Sequence, residues 1–128
     1  MIASLIASVL AVSSTEFSND PEQHSAWMQQ ACRIQQVGYG GGEPDDYTAF
    51  CVCFDDSLRE QTSPAVYRAF ALGSQGAIRE QGMIEDWEAA RDAAASEAGA
   101  MDPAIQAQFT SYLQTALTGC VSLAYPSE

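Results

Sequence analysis

Four cysteines in 128 residues, Cys32, Cys51, Cys53 and Cys120, constrain this chain more than any other feature. An even set in so short a chain is the arithmetic of an oxidised, disulfide-stapled protein. Of the three connectivities that four cysteines allow, a Cys51–Cys53 bond is disfavoured, because a single intervening residue does not supply the usual Cα separation and sulfur dihedral. In both remaining patterns, Cys32 and Cys120 bond to the two halves of Cys51-Val52-Cys53. On a helix those two cysteines diverge by roughly 200° and would reach neighbours on different sides. A central helix stapled to two flanking ones follows.

The punctuation around the cysteines is helical. Asp20-Pro21 reads as an N-cap followed by a proline whose missing N–H costs nothing, and Gln23 can close a capping box. This first helix is expected to reach about Val37, before a flexible loop from Gly38 to Pro44. Asp45 and Asp46 can cap a second segment from Tyr47 to about Glu60, with Tyr47, Cys51, Phe54 and Leu58 at helical spacing. Its Ala49-Phe50-Cys51-Val52-Cys53-Phe54 stretch is also good strand material. Ser63-Pro64 opens a third helix to about Leu72, with Gly73 at the position of a left-handed C-terminal residue. Gly73, Gly76 and Gly82 then mark the softest part of the chain. A fourth helix is expected from about Ile84 to Ala98. Asp102-Pro103 caps the longest, to about Ala124, whose Ile105, Phe109, Tyr112, Leu113, Ala116, Leu117 and Cys120 trace one apolar face. The fold class is therefore all-α: a small domain of four or five helices over residues 14–128, stapled by two disulfides.

Residues 2–12 are uncharged and mostly apolar, and Ala11-Val12-Ser13 places small residues where a signal peptidase acts. A signal peptide over residues 1–13 is expected, although no Lys or Arg precedes the apolar stretch. Ile2, Leu5, Ile6, Val9 and Leu10 would equally suit a packed helix. The run is far shorter than the roughly 20 residues that span a bilayer, so no membrane span is expected. Together with the cysteines it points to a periplasmic or secreted protein.

Charge narrows the partners. Seventeen Asp and Glu face five basic residues, all arginine, for a net charge of -12. Such a surface repels nucleic acid and anionic lipid, leaving a protein with a basic surface as the expected partner. The acids frame the Cys-x-Cys segment, where Asp55 and Asp56 stand, and coat the fourth helix at Glu85, Asp86, Glu88 and Asp92. Trp87 within that second cluster is a candidate anchor, since tryptophan is enriched at binding hot spots. The plainer reading of the acids is solubility.

Specific chemistry fits less well. One Cys-x-Cys and two distant cysteines do not match the paired spacing of a zinc site, and no Cys-x-x-Cys redox pair occurs. His24, Met28 and Cys32 recur at i, i+4 and i+8, a soft set suited to Cu(I); a copper carrier is the alternative reading, against an ordinary core stripe. The only histidine, His24, has no nucleophile elbow to serve. Adjacent carboxylate pairs diverge on a helix and read as solvated faces. The Gly38–Gly42 run lacks the Gly-Lys-Ser/Thr of a phosphate cradle, and no twelve-residue calcium loop occurs. No cofactor and no catalytic residue is assigned.

Cys32, then Phe50-Cys51-Val52-Cys53, Leu58, Ser63-Pro64 and Cys120 together resemble small secreted helical proteins of bacteria with a Cys…Cys-x-Cys…Cys pattern and no assigned function. The resemblance implies export and disulfides, and no activity. The expectation is a non-enzymatic binding or accessory protein of the cell envelope.

Overall fold

The computed structural model describes residues 17–124, and the expected signal peptide lies outside them. Five long helices form, with no strand among the described residues: α1 (Pro21–Gly40), α2 (Thr48–Gln61), α3 (Pro64–Ile78), α4 (Trp87–Gly99) and α6 (Phe109–Ala124). A single turn, α5 (Pro103–Gln106), precedes the last, and 3-10 turns at Pro44–Tyr47 and Arg79–Gln81 complete the chain. In space α1 lies between α2 and α3, α4 packs on α3, and α6 packs on α2.

Asp20 and Ser63 cap as the sequence reads, Asp102 makes no side-chain cap bond, and Asp86, read only as part of the acidic cluster, caps α4, which starts at Trp87 rather than Ile84. The Asp20 carboxylate accepts the Glu22 N–H at 3.0 Å, Ser63 accepts from Val66 at 3.3 Å and Asp86 from Ala89 at 3.1 Å. Helix α1 runs past Val37 to Gly40 and stops where Gly41, at φ 74°, turns the chain. There the Gly41 carbonyl accepts the Tyr47 hydroxyl at 2.8 Å. Asp46 accepts the Glu43 N–H at 2.9 Å; it caps the short turn before α2 rather than α2 itself. The Cys-x-Cys segment is helical, and the strand alternative is excluded.

Three expectations change. Helix α3 continues through Gly73 to Ile78, and glycine lets α3 and α4 approach at Gly76: a Cβ there would sit 2.7 Å from the Arg91 Cβ, whereas one on Gly73 would meet the Ala94 Cβ at an ordinary contact distance of 3.6 Å. The segment read as softest is a close helix crossing, where burial overrides glycine's poor helix propensity. Arg79, not glycine, makes the positive-φ turn after α3, at φ 57°. The last helix is interrupted after Gln106, whose side-chain amide donates to the Gly99 and Met101 carbonyls at 3.4 and 2.8 Å. Its apolar stripe is also narrower than expected: Ala116 and Cys120 are buried, whereas Leu117 is 43 % exposed.

Two apolar clusters result. One gathers Trp27, Met28, Leu58, Tyr67, Leu72 and the small residues Ala71, Ala90, Ala94 and Ala116. The other surrounds the disulfides with Tyr47, Phe50, Cys32, Cys51 and Cys120. Cys32 bonds Cys51 and Cys53 bonds Cys120, so α2 is the central helix stapled to α1 on one side and α6 on the other.

Candidate functional site

The acidic surface is built from the loop before α4 and the exposed side of that helix. α4 buries only Ala90 and Ala94 fully against its neighbours, which leaves Glu88, Arg91 and Asp92 exposed on it. Glu85, Asp86, Glu88 and Asp92 are exposed. Asp86 is committed as the N-cap, and Asp92 lies 3.3 Å from the Arg91 guanidinium. Trp87 is half-buried. Its ring is flanked by two guanidiniums, Arg79 at 5.8 Å and Arg91 at 5.7 Å from the centroid, distances at which a cation is attracted to the negative ring face. The anchor candidate is thus held in place by the two arginines nearest the acids.

The second acidic pair divides. Asp56 is exposed on α2, with Arg59 3.8 Å away. Asp55 is fully buried and does not belong to the acidic surface. Its Oδ2 accepts the Ser25 hydroxyl at 2.5 Å and the Gln29 amide at 3.1 Å, both from α1. Its Oδ1 accepts the Tyr67 hydroxyl from α3. Three donors on three side chains satisfy a group that would otherwise be costly to bury. Burial, then the hydrogen bond to Asp55 and its charge, hold the Tyr67 phenol protonated far above its ordinary value of 10.0. The network ties α1, α2 and α3 together at their common seam.

The cysteines bear on the copper alternative. Cys32 is spent in its bond to Cys51 and no free cysteine remains, so it offers no thiolate. Met28 is buried in the core, and the His24 Nε2–H donates to the Ser18 carbonyl at 2.7 Å. The soft set at i, i+4 and i+8 is therefore a core stripe with a disulfide at its end. Among the described residues no three His, Cys, Asp or Glu side chains gather into a metal-binding group.

No family model, curated protein or solved structure matches this chain.

One concave feature was not visible in the sequence. A cleft of about 520 Å³ opens where α1 begins, α2 ends and α3 begins. His24, Arg59, Tyr67 and Arg68 line it, beside the apolar Pro21, Pro64 and Ala65. His24 is only 4 % exposed, packed near the rings of Trp27 and Tyr67. Arg68 is anchored: its Nε donates to the Glu97 carboxylate at 3.1 and 3.3 Å, and one terminal nitrogen, Nη1, donates to the Ser18 carbonyl and the Asn19 side chain at 2.6 and 2.7 Å. Sequence carried a signal for Asp55, which stands four residues after Cys51 and three before Leu58, both on the apolar stripe of α2. It carried a similar one for Gln75, also fully buried, where α3 meets α1. The Gln75 amide donates to the Trp27 carbonyl and the Gln30 side chain, both at 3.0 Å, and its oxygen accepts the Met83 N–H at 2.6 Å.

The two formed disulfides are consistent with an oxidising, exported environment. No helix among the described residues is long and apolar enough to cross a membrane.

Proposed function

We propose that this chain is an exported protein, periplasmic or secreted, that works as a non-enzymatic binding or accessory protein, docking a partner with a basic surface onto the acidic face of α4. The observation that carries the reading is the exposed set Glu85, Glu88 and Asp92 around a half-buried Trp87 whose ring two arginines hold in place. Exposed acids attract a basic partner over a Debye length of roughly 10 Å at 0.1 M salt and speed its arrival. A positioned aromatic ring supplies area that desolvates on contact. The disulfides support the export half, and so does the likeness of the cysteine pattern to small secreted helical bacterial proteins.

The test is capture from native extracellular or envelope fractions at low and high salt, with the parent chain and a Glu85→Gln/Glu88→Gln/Asp92→Asn variant. A partner held by the parent at low salt, and lost with added salt or with the variant, is expected. Capture indifferent to both removes the acidic face from the function. Mass measurement of the exported protein with and without reductant tests the compartment: retention of Met1 with four free thiols would overturn export.

A further inference from the structure

We propose that the cleft between the first turns of α1 and α3 binds a small hydroxylated organic acid, with Arg59 holding its carboxylate and His24 its hydroxyl. The site is separate from the acidic face of α4.

The charge distribution is the first argument. In a chain with five arginines against seventeen acids, two of the five line this one cleft. Arg68 forms a fixed wall, anchored through Nε and Nη1 to Glu97, Ser18 and Asn19. Arg59 is different. Its side chain is 47 % exposed and the nearest carboxylate oxygen, on Asp56, is 3.8 Å away, beyond hydrogen-bond length. Among the described residues its guanidinium donates no hydrogen bond, so a planar fork suited to a carboxylate stands unspent at the cleft. The positive end of the 15-residue α3 opens on the same space and favours an anion there.

His24 is the second argument. Its Nε2–H is committed to the Ser18 carbonyl, which leaves Nδ1 as an acceptor with no partner among the described residues. A side chain 4 % exposed normally has its polar atoms paired. No side-chain nitrogen or oxygen among the described residues is both sealed from solvent and unpartnered. His24 lines the cleft, and its Nδ1 can accept one hydrogen bond from a hydroxyl.

The walls set the rest of the ligand. Pro21, Pro64 and Ala65 are apolar, and Tyr67 offers its ring because its hydroxyl is spent on Asp55. A bare hydrated anion such as phosphate would lose water to these walls without recompense, whereas a phenyl ring or short alkyl body buries area on them.

The experiment is a two-dimensional amide NMR titration of the full oxidised chain with 4-hydroxybenzoate, benzoate, phenol and inorganic phosphate. Binding of 4-hydroxybenzoate tightest, benzoate weaker, and phenol and phosphate not at all, with shifts at His24, Arg59 and Ala65, is expected. Arg59→Gln should weaken binding by about tenfold or more, the scale of a charged hydrogen bond, with thermal stability unchanged. Ala65→Leu, at an exposed wall position, should block the cleft without unfolding the chain. Absence of shifts with every probe overturns the proposal. So does phosphate binding as well as the acids, or affinity unchanged in Arg59→Gln.

Discussion

Replacing Gly76 with alanine should destabilise this protein, although the same change in an open helix stabilises one. In a helix interior alanine is favoured over glycine by about 1 kcal/mol. At Gly76 the added Cβ would lie 2.7 Å from the Arg91 Cβ, 3.0 Å from its Cα and 3.2 Å from its backbone nitrogen. Ordinary carbon contacts lie at about 3.5–4.0 Å, so α4 must retreat by about 1 Å. The obstacle is largely backbone, which cannot rotate aside. Overpacking of this kind costs about 1–3 kcal/mol, and here it also loosens Ala90 and Ala94 against α3. The net expectation is a loss of up to about 2 kcal/mol after the propensity gain of about 1 kcal/mol. Gly119 is the control: it lies in α6 with no atom within 4 Å of its built Cβ, so Gly119→Ala should gain about 1 kcal/mol. At about 4 °C per kcal/mol for a domain of this size, the two variants should move the melting temperature in opposite directions by several degrees. Differential scanning calorimetry and urea unfolding of the oxidised proteins measure this. A Gly76→Ala protein as stable as the parent would refute the close crossing.

Three further outcomes follow from the seam and the staples. Tyr67 has its pKa raised in the folded state above 10.0, so the unfolded chain loses the phenolic proton first; this stability is complete below pH 10 and is lost as pH rises beyond it, with a limiting slope of about 1.4 kcal/mol per pH unit. Urea midpoints from pH 9 to 11.5 should show that slope in the parent and not in Tyr67→Phe; parallel curves would remove burial as its cause. Asp55→Asn keeps the shape but turns an NH2 donor toward groups that donate, and should cost about 2–4 kcal/mol, against at most about 0.5 kcal/mol for the exposed Asp56→Asn; equal effects in chemical denaturation would mean that Asp55 is not sealed. The Cys53–Cys120 and Cys32–Cys51 bonds close separations of 67 and 19 residues, so in the chain-entropy account they contribute about 4 and 3 kcal/mol. Paired Cys→Ala variants should lose stability in that order, and the reverse order in urea unfolding would place the stabilisation in native contacts instead.

How much of this was legible follows from which signals are local. Caps are local, and Asp20 and Ser63 perform as their residue types suggest. The divergence of Cys51 and Cys53 on a helix is local too, and it yields the stapling of α2 to both neighbours. Which flanking cysteine meets which half depends on the order of helices in space, which spacing alone does not carry. Glycine misleads at Gly76 because its intrinsic cost is offset by a partner helix not adjacent in that stretch of chain. Asp55 misleads because adjacent acids read as a solvated pair, although its register with Cys51 and Leu58 places it on the buried stripe. The cleft was invisible for a simpler reason: His24, Arg59 and Ala65 come from three helices, and no pattern in one segment joins them.

The staples and the close crossing divide the molecule's means of cohesion. Covalent bonds hold α1, α2 and α6, where α6 fully buries only Ala116 and Cys120. Nothing covalent holds α3 and α4, which depend on glycine and alanine for their approach. Two fully buried side chains bridge the halves: Asp55 on α2 receives donors from α1 and α3, and Gln75 on α3 reaches α1 and the loop before α4. Because α4 commits so little surface to the core, it can carry the acids without burying any of them, apart from the half-buried Glu97 paired with Arg68. That same economy makes α4 the element whose attachment is most sensitive to a single added methyl group. The cleft sits at the other end of the logic, where the stapled α1 and α2 meet the first turn of α3. A ligand there would touch both halves at once and add a bridge beside Asp55 and Gln75, so its binding free energy would also oppose separation of α3 from the stapled half.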